Sequence, residues 1–138
     1  MILPSAHDVI LNASPWVRRF APLIPRDGVV LDLACGSGRH SEMLASLGHK
    51  VLAVDQDIAA VQSLQNAFIT PKCLDLEGPD WPLIDSRFSA IVVTNYLWRP
   101  RFADLLALLA PGGVLIYETF MLGNEAYGKP SNPDFLLR

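Results

Sequence analysis

Charge is scarce in this sequence, and neither sign dominates. Of its 138 residues, 11 are Lys or Arg and 14 are Asp or Glu, which gives a formal net charge of -3. The basic residues are dispersed: only Arg18 and Arg19 are adjacent, and Arg99 lies near Arg101. Because proteins that bind a nucleic-acid backbone concentrate basic residues on one face, we expect no nucleic-acid partner.

Cysteine and histidine are also rare. The two cysteines, Cys35 and Cys73, lie in apolar stretches. This pattern predicts two reduced, buried thiols in a cytoplasmic protein rather than a disulfide framework. A zinc site needs more ligands at closer spacing, and the three histidines are scattered along the chain, at His7, His40 and His49. We therefore expect no metal site.

Long apolar runs, repeats and linkers are missing as well. No stretch reaches the roughly 20 apolar residues of a membrane-spanning helix. The start, MILPSAHDVI, lacks the basic segment and apolar stretch of a secretory signal. These absences predict one domain over residues 1–138, with a core over about 15–120, a polar tail over 121–138 and no membrane association.

What the sequence does contain is an alternation of strand-like and helix-like stretches. SPWVRRFAPLI predicts a short first helix with Ser14 as its N-cap and Pro15 at its first position. Beyond it, five strand-like runs alternate with helical segments. The strand-like runs are GVVLDLACG, KVLAVDQD, PKCLDLE, FSAIVVTNYLW and GGVLIYETF. The helical segments are SGRHSEMLASLG, IAAVQSLQNAF and RFADLLALLA. Such alternation indicates crossover connections. The predicted fold is therefore α/β, a doubly wound parallel sheet that binds ligands beyond the carboxyl ends of its strands.

Two glycines and an acid mark that edge of the predicted sheet. Gly36 and Gly38 lie where the first strand turns into a helix, and glycine lets the backbone turn tightly and approach a ligand. The helix that follows presents N–H groups and a partial positive charge. Asp55 ends the second strand, where a carboxylate accepts hydrogen bonds from both hydroxyls of a ribose. We expect the neighbouring Asp57 to cap the next helix.

Two cofactor classes compete for this arrangement. The dinucleotide fingerprint is Gly-x-Gly-x-x-Gly, but Ser41 stands at the third glycine position and Glu42, beside it, is an unfavourable neighbour for a diphosphate. S-adenosylmethionine carries an ammonium and no phosphate. Asp32, inside the first strand, would pair with that ammonium directly or through water, whereas a buried carboxylate without a partner is costly. S-adenosylmethionine is favoured, and an NAD-linked oxidoreductase remains the weaker alternative.

The later strands supply further candidates. Asp75 in CLDLE would accept from an adenine amino group while the Leu76 N–H faces a ring nitrogen, unless Asp75 only forms a turn. Trp81 either covers the adenine edge or anchors a surface loop, and we expect His40 to be a helix-face residue rather than a base. The acceptor-pocket candidates lie beyond the fourth and fifth strands: Asn95, Tyr96, Trp98 and Tyr117, with Glu118 and Tyr127.

In order and content, these motifs resemble the Rossmann-like (class I) S-adenosylmethionine-dependent methyltransferases, and the small tellurite-resistance type looks nearest. The stretch VVLDLACGSGRHSEMLASLGHKVLAVDQD is similar to the family's cofactor-binding half, and DLACGSGR stands at its acid-x-Gly-x-Gly loop. The likeness covers roughly residues 15–120. It implies S-adenosylmethionine as cofactor, S-adenosylhomocysteine as product, and these cofactor-binding positions: Asp32, Ala34, Cys35, Gly36, Gly38, Asp55, Gln56, Asp75, Leu76 and Asn95.

The resemblance also bears on the chain beyond the fifth strand. Family members continue with a helix and an antiparallel strand pair, for which the tail NEAYGKPSNPDFLLR leaves no room. We therefore expect that pair to be lacking and the fifth strand to form an exposed edge, which is a template for association. The expected protein is a methyltransferase that acts on an unidentified small molecule and forms a homodimer or a higher assembly through this edge or through the C-terminal tail. The alternative is a shortened, inactive cofactor-binding domain that works by assembly or partner binding.

Overall fold

The computed structural model describes residues 13–83, 85–96 and 99–119. The predicted site residues Trp98 and Tyr127 and the tail 121–138 lie outside these ranges. The elements follow in this order: α1 (Pro15–Phe20), a 3-10 turn (Ala21–Leu23), β1 (Val29–Leu33), α2 (Arg39–Ser46), β2 (Lys50–Asp55), α3 (Ala59–Gln62), β3 (Ile69–Cys73), β4 (Phe88–Thr94), a second 3-10 turn (Arg99–Arg101), α4 (Phe102–Leu106) and β5 (Leu109–Glu118).

The strands form one five-stranded parallel sheet in the order β3-β2-β1-β4-β5. This confirms the predicted α/β fold. Strand order reverses at β1, whose Asp32 lies in register with Ala53 of β2 and Val92 of β4. In such sheets the crevice at the reversal is the ligand site. The predicted lack of an antiparallel pair concerns residues 120–138, outside the described part of the chain.

The core lies on both faces of the sheet. In β4, Ala90 and Val92 belong to one apolar cluster, and Ile91 and Val93 belong to the other. All four side chains are fully buried. A strand covered on both faces needs apolar residues at successive positions, which is why FSAIVVT is an unbroken run rather than an alternating one.

Two helices are shorter than the sequence predicts. The stretch IAAVQSLQNAF contains only the four residues of α3, and RFADLLALLA only the five of α4. Gln65 takes a left-handed conformation with φ +49°, which stops α3. After α4, the Leu108 carbonyl accepts from the Phe88 N–H at 2.8 Å, so the chain has already joined β4. No helix in the described ranges is long and apolar enough to cross a bilayer.

The two cysteines have different surroundings. Cys35 is buried, as predicted, but the prediction that Cys73 is buried is wrong. Cys73 ends β3, which is an edge strand, and its exposed thiol donates to the Gln56 carbonyl at 3.0 Å. Neither cysteine forms a disulfide.

Ser14 fastens α1 to the rest of the domain. Its hydroxyl accepts from the Val17 N–H at 3.1 Å, which confirms the predicted N-cap. The same hydroxyl donates to Glu118 Oε2 at 2.8 Å, at the end of β5. The Ser14 N–H donates to His40 Nε2 at 3.0 Å, at the start of α2. One buried serine therefore links α1 to β5 and α2.

His40 makes its part of this link as a neutral ring. Because Nε2 accepts a hydrogen bond, the proton must lie on Nδ1, which is 3.4 Å from Thr94 Oγ1. The side chain is only 2% exposed. Burial, helped by the charge of Arg39, lowers the pKa of His40 to about 4.

Replacing His40 with Gln should make the protein less sensitive to acid. Between the unfolded pKa of 6.5 and the folded pKa of about 4, the unfolded chain binds a proton at His40 that the folded chain does not. The contribution of neutral His40 to the free energy of unfolding is therefore complete above pH 6.5 and is lost as pH falls. We expect wild type to lose about 1–2 kcal/mol more unfolding free energy than the variant between about pH 7 and pH 5, measured by urea titration. Equal losses would contradict the assigned environment of His40.

Candidate functional site

The loop between β1 and α2 turns sharply because three of its residues take left-handed conformations. These are Ala34 (φ +55°), Gly36 (φ +56°) and Gly38 (φ +86°). A Cβ on Gly38 would lie 2.7 Å from Val61 Cγ2, so only glycine allows this close packing. A Cβ on Gly36 would meet no atom within 4 Å, because this part of the loop faces open space.

Asp55, at the end of β2, holds this loop in place. Its Oδ2 accepts from the Gly36 N–H at 2.9 Å, and its Oδ1 accepts from the Asp57 N–H at 3.1 Å. A second tie joins the Cys35 N–H to the Val54 carbonyl at 2.9 Å. Since a carboxylate oxygen has two lone pairs, both oxygens of Asp55 retain capacity to accept from a ligand.

A cleft with two compartments opens above this loop, at the carboxyl edge of the sheet. The larger compartment has a volume of about 470 Å³ and the smaller about 210 Å³, which together suit a ligand of nucleoside size. Both are bordered by Ala34, Asp55 and Tyr96. The larger adds Cys35, Gly36, Ser37, Arg39, His40, Thr94 and Asn95, and the smaller adds Gln56, Leu76 and Glu77.

Seven of the ten predicted cofactor positions line this cleft: Ala34, Cys35, Gly36, Asp55, Gln56, Leu76 and Asn95. Gly38 instead packs against Val61. The sequence predicts Asp75 at the end of the third strand, and this is wrong, because β3 ends two residues earlier at Cys73. The Asp75 Oδ1 accepts from the Glu77 N–H at 3.0 Å. That bond is the turn-forming role, the alternative that the sequence left open for Asp75. The roles of these residues toward a cofactor remain predictions.

Asp32 lies beneath the loop rather than on the cleft wall. It is 1% exposed, and its Oδ2 accepts from the Ser41 hydroxyl at 2.6 Å. Burial raises the pKa of Asp32 to about 6, against the opposing effect of the hydrogen bonds from Ser41. A cation close to this carboxylate would lower its pKa again. The predicted pairing with an ammonium remains a prediction.

Sequence reasoning missed five residues of this region: Ser37, Arg39, Glu77 and Thr94 on the cleft wall, and Ser41 beneath it. Of these five residues, Ser41 could have been predicted from the sequence. Ser41 lies on the inner face of α2 beside Met43 and Leu44, and a buried hydroxyl needs a partner. The buried Asp32 was the natural candidate for that partner.

A cluster of aromatic side chains lies beside the smaller compartment. The Tyr117 hydroxyl donates to the Tyr96 carbonyl at 2.6 Å, and the Phe102 and Tyr117 ring centroids are 6.0 Å apart. The Arg101 guanidinium lies over the Trp81 ring at 5.7 Å and donates to the Pro79 carbonyl at 2.6 Å. Trp81 therefore helps to anchor its loop, as one of the two interpretations of the sequence suggested.

The other acceptor candidates have structural partners. Asn95 takes a left-handed conformation, and its N–H donates to the Glu118 carbonyl at 2.8 Å. The Glu118 carboxylate accepts from Ser14. Burial raises the pKa of Tyr117 to about 12 and also raises that of Tyr96. Both phenols are therefore uncharged at neutral pH.

Comparison with known sequences gives consistent relatives. The family described as "Methyltransferase domain" matches residues 30–113. YqeM of Bacillus subtilis, which carries a methyltransferase name, is 26% identical over 136 residues, covering 83% of this chain and 52% of YqeM. A demethylmenaquinone methyltransferase of Corynebacterium urealyticum is 30% identical over 108 residues, covering 75% of this chain and 46% of that protein. The chain thus spans about half the length of these relatives.

Solved structures share the fold. Streptomyces venezuelae DesVI superposes with a TM-score of 0.62 at 22% identity, over 85% of this chain and 53% of DesVI. The glycopeptide N-methyltransferase MtfA, in complex with S-adenosyl-L-methionine, gives 0.59 at 23% identity, over 94% of this chain and 64% of MtfA. With the family match over more than half of its length, the chain belongs to the methyltransferase-domain family.

Proposed function

We propose that this chain is the cofactor-binding domain of an S-adenosylmethionine-dependent methyltransferase that acts on a small-molecule acceptor. The observation that carries the proposal is the pairing of Asp55 with Gly36. It places an acid and an open backbone loop in one cleft, at the point where strand order reverses. Relatives named as S-adenosylmethionine-dependent methyltransferases support the choice of cofactor.

The residues present fit this cofactor. Asp55 would accept from the ribose hydroxyls with the lone pairs that Gly36 and Asp57 leave available. Gly36 borders the larger compartment without a side chain, so a ligand is able to contact the backbone there. Asp32, beneath the loop, supplies negative charge to the side where the methionyl ammonium would lie.

Catalysis by this domain would consist mainly of positioning. When bound, the cofactor supplies an electrophilic methyl group on a sulfonium. The chain would fix the nucleoside through Asp55 and keep water from the reacting atoms with the apolar and aromatic side chains of Leu76 and Tyr96. In-line transfer between two held reactants gains most from such orientation and exclusion of water.

The cysteines bear on the compartment in which the protein works. Cys35 and Cys73 are both unpaired thiols. Burial, helped by the charge of Asp32, raises the pKa of Cys35 to about 12, so its thiol is unreactive at neutral pH. Unpaired thiols are typical of reducing compartments, and this supports the proposal that the protein works in the cytoplasm.

The two edges of the sheet support association through β5. At the β3 edge, Pro71 removes a backbone donor and the exposed Lys72 adds a charge, and both features discourage the addition of a strand. The stretch 114–118 of β5 contains neither proline nor lysine. No strand in the described part of the chain pairs with the outer edge of β5. The protein is proposed to form a homodimer through this edge.

Replacing Asp55 with Asn should weaken S-adenosylhomocysteine binding by about 1–3 kcal/mol, because ribose hydroxyls would lose a charged acceptor. Isothermal titration measures the change. Asp57→Asn is the matched control: it removes a neighbouring charge, but Asp57 Oδ1 accepts from the Ala59 N–H and does not border the cleft. Equal affinities for wild type and Asp55→Asn would show that the ribose lies elsewhere.

The affinity for S-adenosylhomocysteine should fall in acid, because the ammonium of the ligand favours an ionised Asp32. With a pKa of about 6 in the ligand-free protein, the affinity should be about tenfold lower at about pH 5 than at neutral pH. Asp32→Asn keeps an acceptor for Ser41 but does not titrate, so its affinity should vary little with pH. If the affinity of wild type varied with pH as little as that of the variant, Asp32 would not be the partner of the ammonium.

The proposed dimer predicts which backbone amides change with protein concentration. As concentration rises, light scattering should reach the mass of two chains, and the outward-facing amides of β5 should exchange hydrogen more slowly. The outward-facing amides of β3 are the internal control and should not change, because Pro71 and Lys72 protect that edge. A one-chain mass at all concentrations, or slowing at β3 instead, would refute association through β5.

A further inference from the structure

A second, apolar pocket lies next to the cleft. It shares Leu76 and Tyr96 with the smaller compartment, and its other walls include Leu33, Trp81, Phe102 and Tyr117. These residues come from the loop after β3, from the carboxyl side of β1, β4 and β5, and from the first residue of α4. A molecule in this pocket would therefore contact the same Tyr96 that borders the nucleoside compartment.

The walls of this pocket are aromatic and carry little charge. Arg101 is the one ionisable lining residue besides the tyrosines in the described part of the chain. Its guanidinium pairs with Asp104 at 3.2 Å and lies over the Trp81 ring. Because the Arg101 guanidinium already lies over one face of the Trp81 ring, a cationic ligand in the pocket would meet like charge, whereas a flat apolar one would gain ring contacts.

The Trp81 side chain carries one polar group that needs a hydrogen-bond acceptor, its indole N–H. Its indole Nε1 is buried and has no hydrogen-bond partner among the described residues. Leaving such a donor unpaired costs about 1–3 kcal/mol. A ligand with an oxygen or nitrogen acceptor near Trp81 would remove that cost, whereas a pure hydrocarbon would not.

In this structure the pocket is too small to hold an acceptor molecule. Its volume is about 20 Å³, which is room for one water molecule. Arg101 holds the Trp81 loop through the Gly78 carbonyl at 3.4 Å and the Pro79 carbonyl at 2.6 Å. A ligand would enter only when this loop moves away, and Arg101 is the side chain that fastens it.

From these features we infer that this pocket receives the methyl acceptor, and that the acceptor is a flat, apolar, uncharged molecule with a hydrogen-bond acceptor for the Trp81 indole N–H. This inference rests on the proposed function, because it assigns the neighbouring cleft to the cofactor. It makes Trp81 a residue that determines acceptor specificity.

The test uses three naphthalene probes of similar size. 2-Methoxynaphthalene carries an acceptor oxygen, 2-ethylnaphthalene lacks one, and N,N,N-trimethyl-2-naphthylammonium carries a positive charge. Binding to the full chain is followed through the tryptophan indole N–H resonances in ¹⁵N-correlated NMR spectra, without and with S-adenosylhomocysteine. Trp81→Phe assigns the Trp81 signal and keeps an aromatic ring. Trp16→Phe, at an exposed tryptophan on α1, is the matched control.

The methoxy probe should shift the Trp81 resonance and bind about tenfold more tightly than the ethyl probe, a difference of one hydrogen bond. Trp81→Phe should abolish that difference while leaving S-adenosylhomocysteine affinity within about twofold, and Trp16→Phe should preserve it. Preference for the cationic probe, or an unmoved Trp81 resonance, would overturn the inference. A large loss of S-adenosylhomocysteine affinity in Trp81→Phe would assign the pocket to the nucleobase instead.

Failure of the proposed function would look different. Wild type would then not bind S-adenosylhomocysteine at all, whatever the three probes do. Binding of S-adenosylhomocysteine together with a failed probe series would overturn only the assignment of the acceptor pocket.

Discussion

The site depends on the way the loop after β1 is bent back and tied to the end of β2. Left-handed conformations at Ala34, Gly36 and Gly38 produce the bend, and the Asp55 carboxylate fixes it by accepting the Gly36 N–H. Left-handed backbone is unfavourable for alanine, so these contacts must stabilise it at Ala34. Asp55 therefore stabilises the loop and is also a candidate ligand-binding residue. The ends of the strands form a rigid edge of the sheet. By linking the end of β2 to the loop after β1, the Asp55 side chain helps to form one wall of the cleft.

Beneath and beside that loop lie polar groups that the core would otherwise exclude. Asp32 is buried with Ser41, and His40 is buried between Ser14 and Thr94. Burial disfavours the charged form of both, raising the pKa of Asp32 and lowering that of His40. A cation bound near Asp32 would lower the pKa of its carboxyl and so favour the ionised form.

The sequence was sufficient to predict the parallel sheet, because strands buried on both faces leave unbroken apolar runs. It also predicted that Asp55 ends the second strand, which β2 confirms, since an acid directly after an apolar run marks the end of a buried strand. The lengths of α3 and α4 and the exposure of Cys73 depended on tertiary contacts: the turn at Gln65, the junction with β4, and the edge position of β3. The Ser14–His40 link joins residues 26 positions apart, and no local pattern encodes such a bond.

The unequal edges of the sheet limit how copies of this domain can associate. Strand addition at both edges would make each copy a link between two others, and such head-to-tail contacts produce closed rings or open filaments. Pro71 and Lys72 discourage strand addition at one of the two edges. A contact between two β5 edges uses the same surface on both partners and is complete after one pairing. Under the proposed association through β5, the proline and lysine in β3 would therefore limit the sheet to one pairing of two copies.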